Sequence, residues 1–198
     1  KRWFMDECFR DMGYLVCIAR YHPTFYSTLG AAVLAALFAF VSIKMNRKSA
    51  REKNSVDFEH NYKNSDKVRD AWLVLMKITQ NRLQQPIVEF AKKEMYATTE
   101  TQAIVTILNE WERAANGIHH RVYDGNYLYK TYGTTVLDLY AYTYEFIKER
   151  QKSKPRSYAN FCRLYLAWKV RRCKEERKSL DKDFKRLHKE LYKLYKEI

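Results

Sequence analysis

The sequence predicts an all-α protein in which a single-pass membrane helix is followed by a cytoplasmic helical bundle and a long basic C-terminal helix. The chain of 198 residues has only 5 Gly and 3 Pro, which is little material for the turns of a β-protein. Residues 24–43 carry no charge, and long segments of the remainder have apolar residues at helical spacing. The formal net charge is +14, of which residues 148–198 hold a net +11.

We predict a membrane anchor in two parts at the N-terminal end. Residues 1–22 place apolar side chains on one helical face and most charges away from it, which is typical of an amphipathic segment on a membrane surface. Residues 23–45 include an uncharged run of 20 residues, enough to cross about 30 Å of hydrocarbon. Small residues recur every four positions and permit close packing with a second copy, although alanine is common in membrane helices in any case. They are Ser27, Ala31, Ala35 and Ala39.

The charges that flank the apolar run predict its orientation. Residues 44–53 hold five cations and one acid, whereas residues 1–22 hold four cations and three acids. Because cytoplasmic flanks carry an excess of Lys and Arg, residues 44–198 are predicted to be cytoplasmic. We therefore expect a single-pass membrane protein whose C-terminal domain is cytoplasmic, with the lipid bilayer as a partner.

The polar residues 46–64 are predicted to form a linker, and residues 65–156 a helical cytoplasmic domain. A helix is expected from about Ser65 until Pro86 breaks it, and a second helix over about 86–96. The apolar stripe of the first helix is formed by Val68, Trp72, Leu75, Met76 and Leu83.

The middle of this domain carries helix signals at both ends. Thr99 and Gln102 form a capping box, and Asn116 with Gly117 supplies a C-terminal stop. The buried face between these signals is predicted to contain Ile104, Ile107, Leu108, Trp111 and Ala115.

A further helix is expected over residues 125–150, with a kink or break at Gly133. Its tyrosines are too many for one core face, so some must be exposed or lie at an interface. We favour a protein interface over stacking on nucleic-acid bases. These tyrosines are Tyr127, Tyr129, Tyr132, Tyr140, Tyr142 and Tyr144.

Residues 157–198 are predicted to form a long helix with two lines of side chains. The first line, here called the seam, is apolar and has heptad spacing. Its strongest members are Leu180, Phe184, Leu187, Leu191 and Leu194, and it continues more weakly upstream through Leu166, Val170 and Cys173. The seam is typical of a coiled coil or bundle contact.

The second line, here called the stripe, is cationic and extends for roughly 37 Å along one side of the helix. Its members are Arg171, Lys174, Lys178, Lys182, Lys185, Lys189, Lys193 and Lys196. Like charges at this spacing repel one another, so the stripe is either a solvated face or a surface that binds the phosphates of nucleic acid or lipid.

Few residues have the types and spacing that a catalytic or metal site requires. The pair His119-His120 with Asp124 has metal-binding residue types, but adjacent loop residues diverge and a third fixed ligand is missing. Glu110 and Glu112 point to different sides of one helix. The four cysteines show no zinc spacing. We therefore predict no enzyme, no cofactor and no metal site.

Four segments together show a resemblance: LNEWERAANGI, VYDGNYLYKTYG, FIKER and YANFCRLYLAW. They resemble a family of uncharacterised bacterial and prophage proteins, over about residues 65–170. The resemblance implies a membrane-tethered helical domain and transfers no catalytic residue. Its prophage setting favours a role in phage exclusion or antiviral defence.

Two classes of function follow. In the first, the protein is a non-enzymatic, membrane-anchored effector that oligomerises or docks a cytoplasmic partner through its C-terminal helix. In the second, the stripe binds nucleic acid or a nucleoprotein and tethers it to the membrane.

Overall fold

The structure is a computed structural model that describes residues 23–196; for Pro23, Phe25, Tyr26, Ser179 and residues 183–196 it describes the backbone alone. The predicted amphipathic segment 1–22 lies outside the described residues. Within them the fold is all-α, as predicted, and contains no strand. The helices are α1 (Pro23–Asn64), α2 (Asp66–Gln80), α3 (Thr99–His119), α4 (Gly125–Ser153) and α5 (Ala159–Lys196). The chain divides into two compact units, Lys1–Ala50 and Arg51–Ile198.

The described part of the first unit is an apolar helix. Among the described residues, one helix near the N-terminus is long and apolar enough to cross a membrane, and its best window has a mean hydropathy of 1.9 with nothing buried. The hydroxyls of Ser27 and Thr28 both donate to the backbone carbonyl of Thr24, at 2.8 and 3.0 Å. Hydroxyls satisfied within their own helix suit an environment without water.

Residues 46–64 are helical, so this stretch is not the irregular linker that its polarity suggests. It contains neither Gly nor Pro, and three of its residues recur at helical spacing and turn towards the second unit's core. Ser55 and Tyr62 are buried, and Phe58 is half-buried. The Ser55 hydroxyl accepts the backbone N–H of Asp124 at 2.7 Å, which ties this part of α1 to the start of α4.

The core of the second unit is built around the indole of Trp111, which is fully buried. Its ring meets those of Tyr62, Tyr132 and Trp168 edge to face, with centroids 5.5, 5.4 and 6.2 Å away. These rings come from α1, α4 and α5, so α3 is the central helix of the unit. The predicted buried face of α3 is confirmed, because Ile104, Ile107, Leu108 and Ala115 are all buried with Trp111.

The predictions for α2 and the segment after it are confirmed in part. Ser65 caps α2 by accepting the N–H of Val68, and Val68 and Leu75 are buried. Leu83 is 95% exposed, so its assignment to the apolar stripe is wrong: α2 ends at Gln80, before that residue. The helix expected over 86–96 consists instead of two short 3₁₀ helices, Ile87–Ala91 and Lys93–Met95.

Both predicted ends of α3 are displaced. The capping residue is Thr98 rather than Thr99, because the Thr98 side chain accepts the N–H of Thr101. At the other end α3 continues to His119, and the left-handed residue is Arg121, with φ of 58°. Gly117 lies inside the helix, where the ring of Tyr123 occupies the space that a Cβ atom would need.

The helix α4 extends three residues beyond its predicted end, and α5 begins two residues after its predicted start. α4 passes through Gly133 without a break, and this glycine leaves room for the ring of Tyr129. α5 begins at Ala159, where Glu112 of α3 caps it from a distance in sequence. The Glu112 carboxylate accepts the backbone N–H groups of Asn160 and Phe161, at 3.2 and 2.8 Å, and the Asn160 amide at 2.9 Å.

This cap predicts a large difference between two neighbouring glutamates. Glu112→Ala removes the acceptor for two backbone N–H groups of α5 and should lower the free energy of unfolding by about 1–2 kcal/mol. Glu110→Ala breaks only a surface ion pair with Arg113 and should change it by less than about 0.5 kcal/mol. Denaturant unfolding of the detergent-solubilised chain, followed by tryptophan fluorescence, measures both. Equal losses in the two variants would contradict the capping role.

Candidate interaction surface on the C-terminal helix

One face of α5 is fixed on the core of the second unit. Phe161, Leu164 and Trp168 are buried on this face. The Trp168 ring meets Tyr129 edge to face, with centroids 5.5 Å apart. Because a helix is rigid over a few turns, this anchoring also decides where the other faces of α5 point.

The seam lies on the side of α5 that faces away from the core. Leu166, Val170 and Leu180 are 59%, 54% and 69% exposed, and Cys173 is exposed as well. The downstream members Phe184, Leu187, Leu191 and Leu194 belong to the same helix, but their side chains lie outside the described part of the chain. In the described part, the seam is therefore an uncovered apolar line.

The first member of the stripe is held by the body of the protein. Arg171 donates to Glu175 at 2.9 Å and to the side-chain oxygen of Asn126 at 2.8 Å. Its guanidinium also lies over the ring of Tyr129, 3.8 Å from the centroid. Arg171 therefore fastens α5 to α4, and it is less available to an external anion than the lysines that follow.

Tyr129 brings together the charged side chains at which α5 is attached to α4. Its hydroxyl donates to Glu175 at 2.5 Å and accepts from the Nε of Arg172 at 3.2 Å. The pKa of the Glu175 carboxyl is lowered, first by the Tyr129 hydrogen bond and then by Arg171. The pKa of Arg172 is raised, chiefly by its bond to Tyr129.

The next three lysines of the stripe are solvent-facing. Lys174, Lys178 and Lys182 are exposed, and none forms an ion pair with another described residue. The side chains of Lys185, Lys189, Lys193 and Lys196 lie outside the described residues, so their place in the stripe stays a prediction. The described stripe is thus one bound arginine followed by three exposed lysines.

The predicted packing ridge of the membrane helix is exposed. Its four residues Ser27, Ala31, Ala35 and Ala39 all lie on the surface of the apolar helix. No side chain of the described chain covers this ridge, so a contact with a second helix there stays a prediction.

The described residues do not bring the histidine pair and Asp124 together with other ligands as a metal-binding group. His119 ends α3 and His120 follows it, with both rings exposed and their centroids 5.0 Å apart. Asp124 caps α4 instead, accepting the N–H groups of Asn126 and Tyr127 at 2.8 and 3.0 Å. Among residues 23–196, no group of three or more His, Cys, Asp or Glu side chains is arranged to hold a metal ion.

The tyrosines of α4 divide between the core and the surface, as their number predicts. Tyr129 and Tyr132 are buried, whereas Tyr142 and Tyr144 are exposed. Tyr140 is half-buried and stacks on Tyr165 of α5, with ring centroids 3.7 Å apart. A protein interface at the exposed rings stays a prediction.

Sequence reasoning missed the polar group that two buried or half-buried tryptophans share, the hydroxyl of Tyr62. Its oxygen accepts the indole N–H of Trp72 at 2.8 Å and that of Trp111 at 3.0 Å. A usable signal was present: Ser55, Phe58 and Tyr62 follow one another at three and four residues, the spacing of one helical face. The polarity of the surrounding residues hid this periodicity.

Fold and surface together define an all-α protein with an apolar helix that can span a membrane and a C-terminal helix with an uncovered face. The profile of the family described as Domain of unknown function (DUF4760) matches residues 28–168. The chain belongs to this family. No curated protein and no solved structure matches it. The family match ends at Trp168, the last core residue of α5, so most of the seam and stripe lies beyond it.

The two faces of α5 predict different reactivities for its two cysteines. Cys162 is half-buried on the core side, and burial raises the pKa of its thiol. Cys173 is exposed in the seam. Because the thiolate is the reactive form, we expect a maleimide to label Cys173 at least about ten times faster than Cys162. Mass spectrometry of peptides from the folded chain measures the two rates, and equal rates would contradict the orientation of α5.

Proposed function

We propose that this protein is a non-enzymatic, membrane-anchored effector or exclusion protein that oligomerises, or docks a cytoplasmic partner, through the seam of α5. One observation carries the proposal. α5 has two apolar faces on nearly opposite sides, one buried by Phe161, Leu164 and Trp168 and one left uncovered at Leu166 and Val170. A helix that is already anchored loses little further conformational freedom when its second face is covered.

The membrane location and the biological role in this proposal are supported by separate observations. The apolar helix supports a single-pass anchor, and the five cations that follow it support a cytoplasmic position for the rest of the chain. The bacterial inner membrane and the role in phage defence derive from the resemblance to prophage proteins. Intact cells offer a check, since an impermeant thiol reagent added outside should leave Cys162 and Cys173 unlabelled.

The seam can be tested separately from the stripe. Replacing Leu166, Val170 and Leu180 with Gln keeps good helix formers and spares the core face of α5. Full burial of such side chains is worth about 1.5–3 kcal/mol each, so the variant should weaken the assembly by about 100-fold or more. Native mass spectrometry or light scattering of the full-length protein in detergent measures the assembly.

The matched control is a triple variant of the exposed stripe, Lys174→Gln with Lys178→Gln and Lys182→Gln. It changes the same number of residues on the same helix, and it should leave the apolar assembly intact. Two outcomes would be incompatible with the proposal. In the first, the protein remains monomeric at all concentrations and binds no partner; in the second, it assembles but the seam variant does not weaken the assembly.

A second function, tethering of nucleic acid or a nucleoprotein, is favoured by a different observation. Lys174, Lys178 and Lys182 are exposed and have no ion-pair partner among the described residues. Unpaired cations repeated at helical spacing are suited to a row of phosphates, and binding would release counterions from the nucleic acid.

Salt dependence distinguishes this second function from the first. If the three lysines contact phosphates, their triple Gln variant should lose about 10-fold or more in affinity for a DNA or RNA duplex at physiological salt. The slope of log affinity against log salt should also fall by roughly 2–3. Fluorescence anisotropy with a labelled duplex measures both. The control variant replaces three lysines outside the stripe, Lys77, Lys93 and Lys130, with Gln; equal losses in the two variants would identify a non-specific charge effect.

A further inference from the structure

An apolar pocket lies where the end of α1, the start of α2 and the middle of α4 meet. Its volume is about 310 Å³, at the lower end of the range for small-molecule sites. The walls are formed by Tyr62, Val68, Trp72, Leu73, Met76 and Tyr132. Leu73 is 59% exposed, which leaves the mouth of the pocket accessible from solvent.

Two tyrosines in the pocket wall have hydroxyl protons without an acceptor among the described residues. The Tyr132 side chain is only 7% exposed, and its buried hydroxyl forms no hydrogen bond with the described residues. The Tyr62 oxygen accepts two indole N–H groups, from Trp72 and Trp111, which occupies both of its lone pairs. Tyr62 therefore has only its proton left to donate. Buried donors without partners are rare and costly, and both of these belong to one pocket.

The electrostatics of the pocket disfavour an anionic occupant. Burial raises the pKa of Tyr132, and the nearby Glu59 raises it further. Burial also raises the pKa of Tyr62 and outweighs the hydrogen bonds from the two indole N–H groups, which lower it; Glu110 adds a smaller rise. Both hydroxyls are therefore protonated donors, and carboxylates are the charged groups that raise their pKa values.

The cations at the rim of the pocket do not make it favourable for an anion. Lys63 is paired with Glu59, and Arg69 lies 2.9 and 3.5 Å from the carboxylates of Asp66 and Asp70. The rim thus has no unpaired positive charge to offer. A neutral molecule that accepts hydrogen bonds fits both the donors and the surrounding charge.

We propose that this pocket binds a neutral, mostly apolar small molecule that carries a carbonyl or similar acceptor oxygen. The hydroxyls of Tyr62 and Tyr132 donate to that oxygen, and the side chains of Val68, Trp72 and Met76 surround the apolar part. Tyr132 lines the pocket but its hydroxyl is buried, so binding includes a small movement of its ring towards the oxygen. This site is separate from α5 and does not depend on the function proposed for the seam.

Three small probes of similar size test the chemistry of the site. Acetophenone is neutral and has a carbonyl, ethylbenzene lacks the oxygen, and benzoate is an anion. The full-length protein in detergent, labelled with 3-fluorotyrosine, is titrated and followed by ¹⁹F NMR; the Tyr132 signal is assigned by its loss in Tyr132→Phe. We expect acetophenone to shift this signal saturably and to bind roughly 3–10-fold more tightly than ethylbenzene, with benzoate weakest. The exposed Tyr142 reports any non-specific partitioning into the micelle.

The variant Tyr132→Phe supplies the decisive comparison, with Tyr142→Phe as its matched control. The Tyr132 signal is absent from Tyr132→Phe, so binding to both variants is followed at the signal of Tyr62, which lines the same pocket and is assigned by its loss in Tyr62→Phe. Loss of the Tyr132 hydroxyl should bring the affinity for acetophenone down to that for ethylbenzene, whereas the control variant should retain the difference. Without ligand, Tyr132→Phe should unfold at the same or a higher denaturant concentration, because it removes an unsatisfied buried group. Two results of the titration would overturn the proposal. One is equal binding of acetophenone and ethylbenzene to the unmodified protein, and the other is a shift of the Tyr132 signal that appears only when the Tyr142 signal also shifts. A clearly lower unfolding midpoint would overturn it too, since the hydroxyl would then be bonded already, for example to a buried water.

Discussion

The burial of the Trp111 indole is the constraint on which the second unit depends. It is an aromatic group that must place a large apolar ring in the core and still satisfy its N–H. Tyr62 of α1 supplies the acceptor at 3.0 Å, while Tyr132 and Trp168 pack against the ring from α4 and α5. Four helices are therefore positioned by one side chain, and the end of α1 becomes part of the body because Tyr62 lies on it.

Several polar residues that could be taken for catalytic groups have structural roles in this arrangement. Glu112 caps α5, and Asp124 caps α4. The segments that carry the family resemblance contain these same residues, so the resemblance describes how the bundle is built. Because those carboxylates already accept backbone N–H groups, they are poor candidates for proton transfer or metal binding. Among the described residues, the surfaces that suit a function better are the uncovered face of α5 and the pocket lined by Tyr62 and Tyr132.

Periodicity predicted the fold well, and local polarity predicted it poorly. The buried face of α3 could be read directly, because residues such as Ile104 and Trp111 repeat at helical spacing regardless of what surrounds them. The choice of Thr98 over Thr99 as the cap depends on a backbone conformation that two adjacent threonines do not distinguish. The spacing of Tyr62 indicated its burial, but its hydrogen bond with Trp111 could not be foreseen, since that partner is 49 residues away in sequence. The exposure of Leu166 was equally hidden, because a seam shows its spacing but not the direction it faces.

The place where the core contacts of α5 end determines how the rest of this helix is oriented. The family match ends at Trp168, and the core contacts of α5 end at almost the same place, so the body determines the direction in which the rest of the helix leaves. The junction of Tyr129 with Arg171, Arg172 and Glu175 stiffens this exit, because three charged side chains converge on one ring and one hydroxyl. A helix fixed in this way presents its apolar and cationic lines at a defined angle to the body. That preorganisation would lower the entropic cost of the docking proposed above, whichever of the two lines made the contact.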